Sequence, residues 1–107
     1  MFTRVLEYRM KSGSHDKLLN IMNTEILTTL RNYQGFVDLI MLTKENDPDT
    51  CLSFTFWNNK ADADRYAKEG YPKILNLMTP HLMNTPTVTP YNIETSTIQR
   101  IAAGKAA

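Results

Sequence analysis

The order of periodic segments in this chain of 107 residues is strand, helix, strand, strand, helix, strand. That order predicts an α+β fold of the ferredoxin-like βαββαβ type, with a four-stranded antiparallel sheet backed by helices on one side. Two stretches carry the expectation. Phe2 to Met10 alternates, with Phe2, Leu6, Tyr8 and Met10 set against Thr3, Val5, Glu7 and Arg9. Leu52-Ser-Phe-Thr-Phe-Trp57 also alternates with period two, then passes into helical spacing over Asn58 to Tyr66. The second stretch places the only tryptophan at a strand end where a helix begins, a common place for a small α+β domain to open a ligand pocket.

The first strand is broken by Lys11-Ser-Gly-Ser14. Ser14 is the expected N-cap, with Asp16 in the first turn, where a negative charge suits the helix dipole. Leu19, Met22, Ile26, Leu30 and Tyr33 then recur at intervals of three and four, joined by Leu18 and Leu27. This predicts an amphipathic helix of about five turns capped by Gly35. Phe36 to Lys44 reads as a second strand, apolar on both faces apart from Asp38 and Thr43. The polar cluster Glu45 to Thr50, with Pro48, reads as a turn, and Cys51 to Asn58 as the hairpin partner. Asn59 caps the next helix, with Asp62 near N3 and Ala63, Tyr66 and Ala67 as its stripe, and Gly70 ends it. Tyr71-Pro72 restarts the chain, and Ile74, Leu75, Met78 and Leu82 carry a stripe past a break at Pro80. Thr85 to Thr97 reads as the fourth strand, whose start, at least, Pro86 and Pro90 confine to an edge or an extended arm. Residues 1–97 form one domain in this reading, and 98–107 a C-terminal tail.

With 42% hydrophobic and 21% charged residues, the composition is that of a globular domain. The net charge of +1 is made of interspersed charges of both signs, which leaves no basic stripe for nucleic acid. The longest apolar run, Leu39-Ile-Met-Leu42, is far too short for a membrane span, and Met1-Phe-Thr-Arg4 carries no secretory pattern, so a cytoplasmic location is expected. Cys51 is the single cysteine, and His15 and His81 lie far apart, so no intrinsic metal site is expected. Glu45 to Asp49 lacks the ligand spacing of a calcium loop.

Helices cover only one face of such a sheet, yet the strands are apolar on both. The second carries Phe36, Ile40 and Leu42 on one side and Val37, Leu39 and Met41 on the other. The third sets Leu52, Phe54 and Phe56 against Cys51, Ser53, Thr55 and Trp57. A bare face of that character predicts a homodimer packed sheet to sheet.

Phe56-Trp57, Ala61-Asp-Ala63, Tyr66, the stretch Pro72 to Leu82 and the Thr/Pro-rich last strand together resemble the antibiotic biosynthesis monooxygenase family. The resemblance covers roughly residues 1–97 in element order. It implies a dimeric α/β barrel of ferredoxin-like protomers. It also implies oxidation of an aromatic or quinol-type small molecule by O2 with no cofactor. Members that oxidise polycyclic quinols keep a tryptophan at the end of the third strand, which Trp57 matches. Ser53, Ala63 and Leu77 stand where those members have an asparagine, a tyrosine and an arginine. Haem-degrading members use an asparagine in the first strand, a helix tryptophan and an axial histidine. Here Tyr66 and Asn76 take the last two places, and no asparagine precedes Asn20, so haem chemistry ranks behind both oxygenase and non-enzymatic binding or stress-responsive roles.

Such chemistry asks for a base, an apolar hollow for oxygen and hydrogen bonds to a forming anion. His81 is the candidate base, since its ordinary pKa lies near neutrality. Asn76, which interrupts the run Ile74 to Met78, is the second catalytic candidate. Trp57 is expected to wall the substrate pocket, with Tyr66, Tyr8 and Tyr71 as phenolic contacts to the substrate. Asp38, between Val37 and Leu39, is a further candidate base if withdrawn from water.

Overall fold

The computed structural model describes residues 1–97. The expected tail, 98–107, lies outside the described residues. Strands β1 (Phe2–Arg9), β2 (Phe36–Lys44), β3 (Asp47–Trp57) and β4 (Thr87–Asn92) form one antiparallel sheet in the order β2-β3-β1-β4. A helical rod joins β1 to β2: α1 (His15–Ile21), a π-helical turn (Met22–Ile26) and α2 (Leu27–Arg31). Helices α3 (Lys60–Glu69) and α4 (Tyr71–Met78) and a 3-10 turn (Thr79–His81) join β3 to β4. The expected ferredoxin-like βαββαβ fold is thus present, with β4 at an edge.

The rod explains itself through its spacing. Leu18, Met22, Ile26 and Leu30 are each 3% exposed or less and stand four residues apart. On a regular α-helix of 3.6 residues per turn, each step of four rotates about 40° off the face. The π-helical turn underwinds the rod at its middle and keeps all four on the sheet. Leu19, expected in the stripe, is 37% exposed because Leu18 takes the inward position. Nor does the helix reach Gly35 as expected. It ends at Arg31, and Gly35 turns the chain into β2 at φ +85°, where its carbonyl accepts from the Asn58 amide at 2.8 Å. Ser14 stands at the N-cap, but its side chain makes no capping bond.

Strand register sorts the side chains. Toward the helices point Phe2, Arg4, Leu6 and Tyr8 of β1, opposite Trp57, Thr55, Ser53 and Cys51 of β3. The other face carries Thr3, Val5 and Glu7 beside Leu52, Phe54 and Phe56, flanked by Asp38, Ile40 and Leu42 of β2 and Thr87, Thr89 and Tyr91 of β4. Three expectations are corrected. Strand β4 spans only Thr87–Asn92 rather than Thr85 to Thr97. A bulge between Phe36 and Asp38 puts Phe36 opposite Trp57 on the helix side, rather than with Ile40 and Leu42. The turn between β2 and β3 is only Glu45-Asn46, and Asp47 to Thr50 belong to β3. The polar residues stay in the strand because Arg9 Nη1 holds Asp47 at 2.7 Å and Thr50 at 2.9 Å. Pro48 falls in a register shift where no ladder hydrogen bond is asked of it.

Candidate functional site

Trp57 ends β3 because Asn58 and Asn59 leave the sheet, and the Asn59 side chain accepts from the Asp62 amide at 2.9 Å to start α3. That junction folds Tyr66 of α3 back over the indole. The two rings stack at 4.6 Å with 26° between their planes, and Phe36 meets the indole edge-on at 5.7 Å. Trp57 is fully buried, and its Nε1–H donates to Thr55 Oγ1 at 3.0 Å. Position, ring plane and hydrogen bond are therefore all fixed from below by the sheet.

Beside this stack, between sheet and helices, lies an apolar hollow of about 20 Å³. Leu6, Met22, Ile26, Ile74 and Met78 line it, with Tyr66 on one wall and Ser53 and Thr55 on its floor. It has room for one small molecule of the size of water or dioxygen. Trp57 supports the Tyr66 wall without lining the hollow itself. Tyr8 reaches the same floor, with its hydroxyl paired to Ser53 Oγ at 2.5 Å. Burial pushes the phenols of Tyr8 and Tyr66 well above their usual range. The Ser53 hydrogen bond in one case and nearby Arg4 in the other pull partly back. Both phenols stay protonated at neutral pH.

Sequence reasoning passed over one member of this cluster. Arg4 sits on the helix side of β1, between Phe2 and Leu6. Its guanidinium lies 4.9 Å from the Tyr71 ring centre and 5.7 Å from that of Tyr66. The signal was available, since Arg4 occupies an even position in the stripe Phe2, Leu6, Tyr8, Met10. Tyr71 starts α4 directly after Gly70, where an added Cβ would come within 2.5 Å of the Tyr33 ring, and its own ring meets Tyr66 edge-on at 6.3 Å.

Of the expected site residues, the fold gathers Trp57, Tyr66, Tyr8 and Tyr71 in this one helix-side layer. Asn76 is exposed to solvent on α4. His81 is carried to the opposite end of the sheet, where its carbonyl accepts from Lys11 beyond the end of β1, whereas Trp57 pairs with Phe2 at the start. At about 3.3 Å per residue, the length of β1 sets roughly 25 Å between them. Asp38 points to the open face, opposite Phe56, and its Oδ1 accepts from the Leu39 amide at 2.8 Å. Among the described residues, no cluster of three or more His, Cys, Asp or Glu side chains is placed to hold a metal, and no helix is long and apolar enough to cross a membrane.

Residues 1–73 match the family model for antibiotic biosynthesis monooxygenase, and the chain belongs to that family. Solved structures agree on the fold. A conserved protein from Methanosarcina mazei Go1 is 16% identical, with TM-score 0.71 over 87% of this chain and 92% of its own. SnoaB, a cofactor-independent oxygenase from Streptomyces nogalater, is 12% identical, with TM-score 0.72 over 89% and 94%. The NE2512 protein from Nitrosomonas europaea, of unknown function, is 12% identical, with TM-score 0.71 over 89% and 90%. No curated protein matches the sequence.

Proposed function

We propose that this chain is a cofactor-independent monooxygenase that oxidises an aromatic or quinol-type small molecule with O2, and that it works as a homodimer packed through the open sheet face. The observation that carries the reading is the apolar hollow walled by Tyr66, the same ring that stacks on Trp57. An oxygen-sized space beside a rigid aromatic surface suits a reaction between dioxygen and a planar ring. The family and the likeness to SnoaB support the reaction type. In it, an electron-rich substrate loses a proton and its anion reduces O2. For a ring CH2 oxidised to a carbonyl, one oxygen atom enters the product and the other leaves as water with the two hydrogens. Tyr8 and Tyr66, held protonated, supply hydrogen bonds to the developing oxyanion.

Oxygen uptake with anthrone and a series of quinols tests the proposal. Uptake in the wild type that falls at least about tenfold in Tyr66→Phe, with the fold intact by circular dichroism, is the expected result. Absence of uptake with every substrate overturns it.

A second reading, a non-enzymatic binder of small aromatic molecules, is favoured by the placement of His81 and Asn76, neither of which the fold brings to the Trp57 cluster. It expects aromatic ligands to quench Trp57 fluorescence without oxygen consumption. Haem, ranked third, requires a shifted absorption band on titration.

A further inference from the structure

The arginines differ in how they are paired. Arg9 and Arg65, both exposed, have carboxylates at 2.7 and 3.0 Å, from Asp47 and Asp62. Arg4 is more withdrawn than either and, among the described residues, has no carboxylate in ion-pair range. Its Nε–H is buried with no hydrogen-bond partner. The second buried side-chain group without a partner among the described residues is the Tyr71 hydroxyl, on the ring that faces the same guanidinium. Buried donors are normally satisfied, so two unpaired ones around one guanidinium call for an acceptor that the protein does not supply. Asp64, the acid whose charge acts on Arg4, is tied to Lys60 at 2.6 Å.

The surroundings say what the acceptor belongs to. Tyr66 and Tyr71 present aromatic faces around the cation, and Trp57 backs Tyr66. On β4, Pro90 lies opposite Arg4 and Asn92 opposite Phe2 on this side of the sheet, and both are exposed, which leaves an approach over the edge strand. A guanidinium offers two parallel N–H groups to a carboxylate and a charge-assisted bond to a phenolate.

We propose that Arg4 and Tyr71 form an oxyanion-binding site for a planar aromatic ligand, whose carboxylate or phenolate oxygen they hold while its ring lies along the half-buried Tyr71. The inference rests on the helix-side cluster being the place where the proposed substrate binds. It adds that the substrate is recognised as an anion. A phenol bound there loses its proton to bulk water at a lower pH than it does free in solution.

The test compares two ligands of the same shape, anthracene-9-carboxylate and 9-anthracenemethanol, by fluorescence titration. The wild type is expected to prefer the carboxylate by at least about tenfold, and Arg4→Met, which keeps the packing over the rings, to lose that preference. Tyr71→Phe is expected to weaken carboxylate binding a few-fold. Equal affinities in the wild type, or a preference that survives Arg4→Met, overturns the proposal. Should Arg4→Met fail to fold, the wild-type Arg4 Nε–H resonance decides: it shifts with the carboxylate and not with the alcohol if the site exists, and responds to neither if it does not. A 4-nitro-1-naphthol titration separates the two oxyanions, since a bound pKa lowered by about one unit shows that a phenolate is accepted. Neither anthracene ligand has to be oxidised, so an inactive oxygenase still answers the question. Conversely, oxygen uptake without anion preference leaves the oxygenase proposal standing and removes only this one.

Discussion

At the residue scale, the cluster mixes side chains whose buried polar atoms are paired with two, Arg4 and Tyr71, whose buried polar atoms are not. Trp57 shows the first kind: it is fully buried, it stacks on Tyr66, and its one donor reaches Thr55. Trp57→Ala should destabilise the protein by about 3–5 kcal/mol, read as a lowered urea midpoint, because it opens a cavity under α3. A loss below about 1 kcal/mol would mean that the indole is not packed as described. Cys51 shows the same logic for a thiol. It is 1% exposed, and burial, with Asp49 and Asp47 nearby, pushes its pKa up from 9.0 to about 11. The unfolded chain releases this proton near pH 9 while the folded protein keeps it to about 11, so the unfolded state binds fewer protons across that window. Stability should therefore fall as pH rises from about 9 to about 11. Cys51→Ala should flatten that part of the curve, and an unchanged slope would count against the burial.

At the element scale, two junctions do most of the positioning. The turn at Gly35 needs a positive φ, and a Cβ there would lie 2.1 Å from Asp62 Oδ2. Asp62 is the residue whose amide takes the Asn59 cap, so turn and helix start are packed into one another. Gly35→Ala should cost more than about 1 kcal/mol in denaturant unfolding, through both the backbone strain and the collision. A neutral substitution would show that the turn relaxes freely. The π-helical turn is the second junction. Without it, Met22 and Ile26 would rotate off the hollow that they line.

At the scale of the whole molecule, the sheet has two unlike faces. The helix side holds Ser53, Thr55, the phenols of Tyr8, Tyr66 and Tyr71, and Arg4. The open side is apolar along β3, with Phe54 and Phe56 stacked at 6.2 Å and a groove of about 370 Å³ lined by Val5, Leu52, Phe54 and Tyr91 together with Thr3, Glu7 and Thr89. Leu42 and Tyr91 are 46% and 53% exposed there, more apolar surface than a monomer comfortably shows to water. The proposed homodimer covers this face. Light scattering should give twice the chain mass for the wild type, and Phe54→Asp should halve it while leaving circular dichroism unchanged. A wild-type monomer at micromolar concentration would refute the dimer.

The sequence by itself determined the element order, the edge position of β4, the caps at Asn59 and Gly70, and the aromatic end of β3. These follow from local periodicity and from residues that act within a few positions of themselves. Only the tertiary structure decided that His81 stands a strand's length from Trp57, that Asn76 faces water, and that Arg4 and Tyr71 meet. Those facts depend on strand register and on how α3 and α4 lie across the sheet, over separations that periodicity does not encode. A one-residue bulge moved Phe36 to the other face for the same reason. Where a side chain's role depends on a partner far along the chain, it is packing, not spacing, that selects the partner.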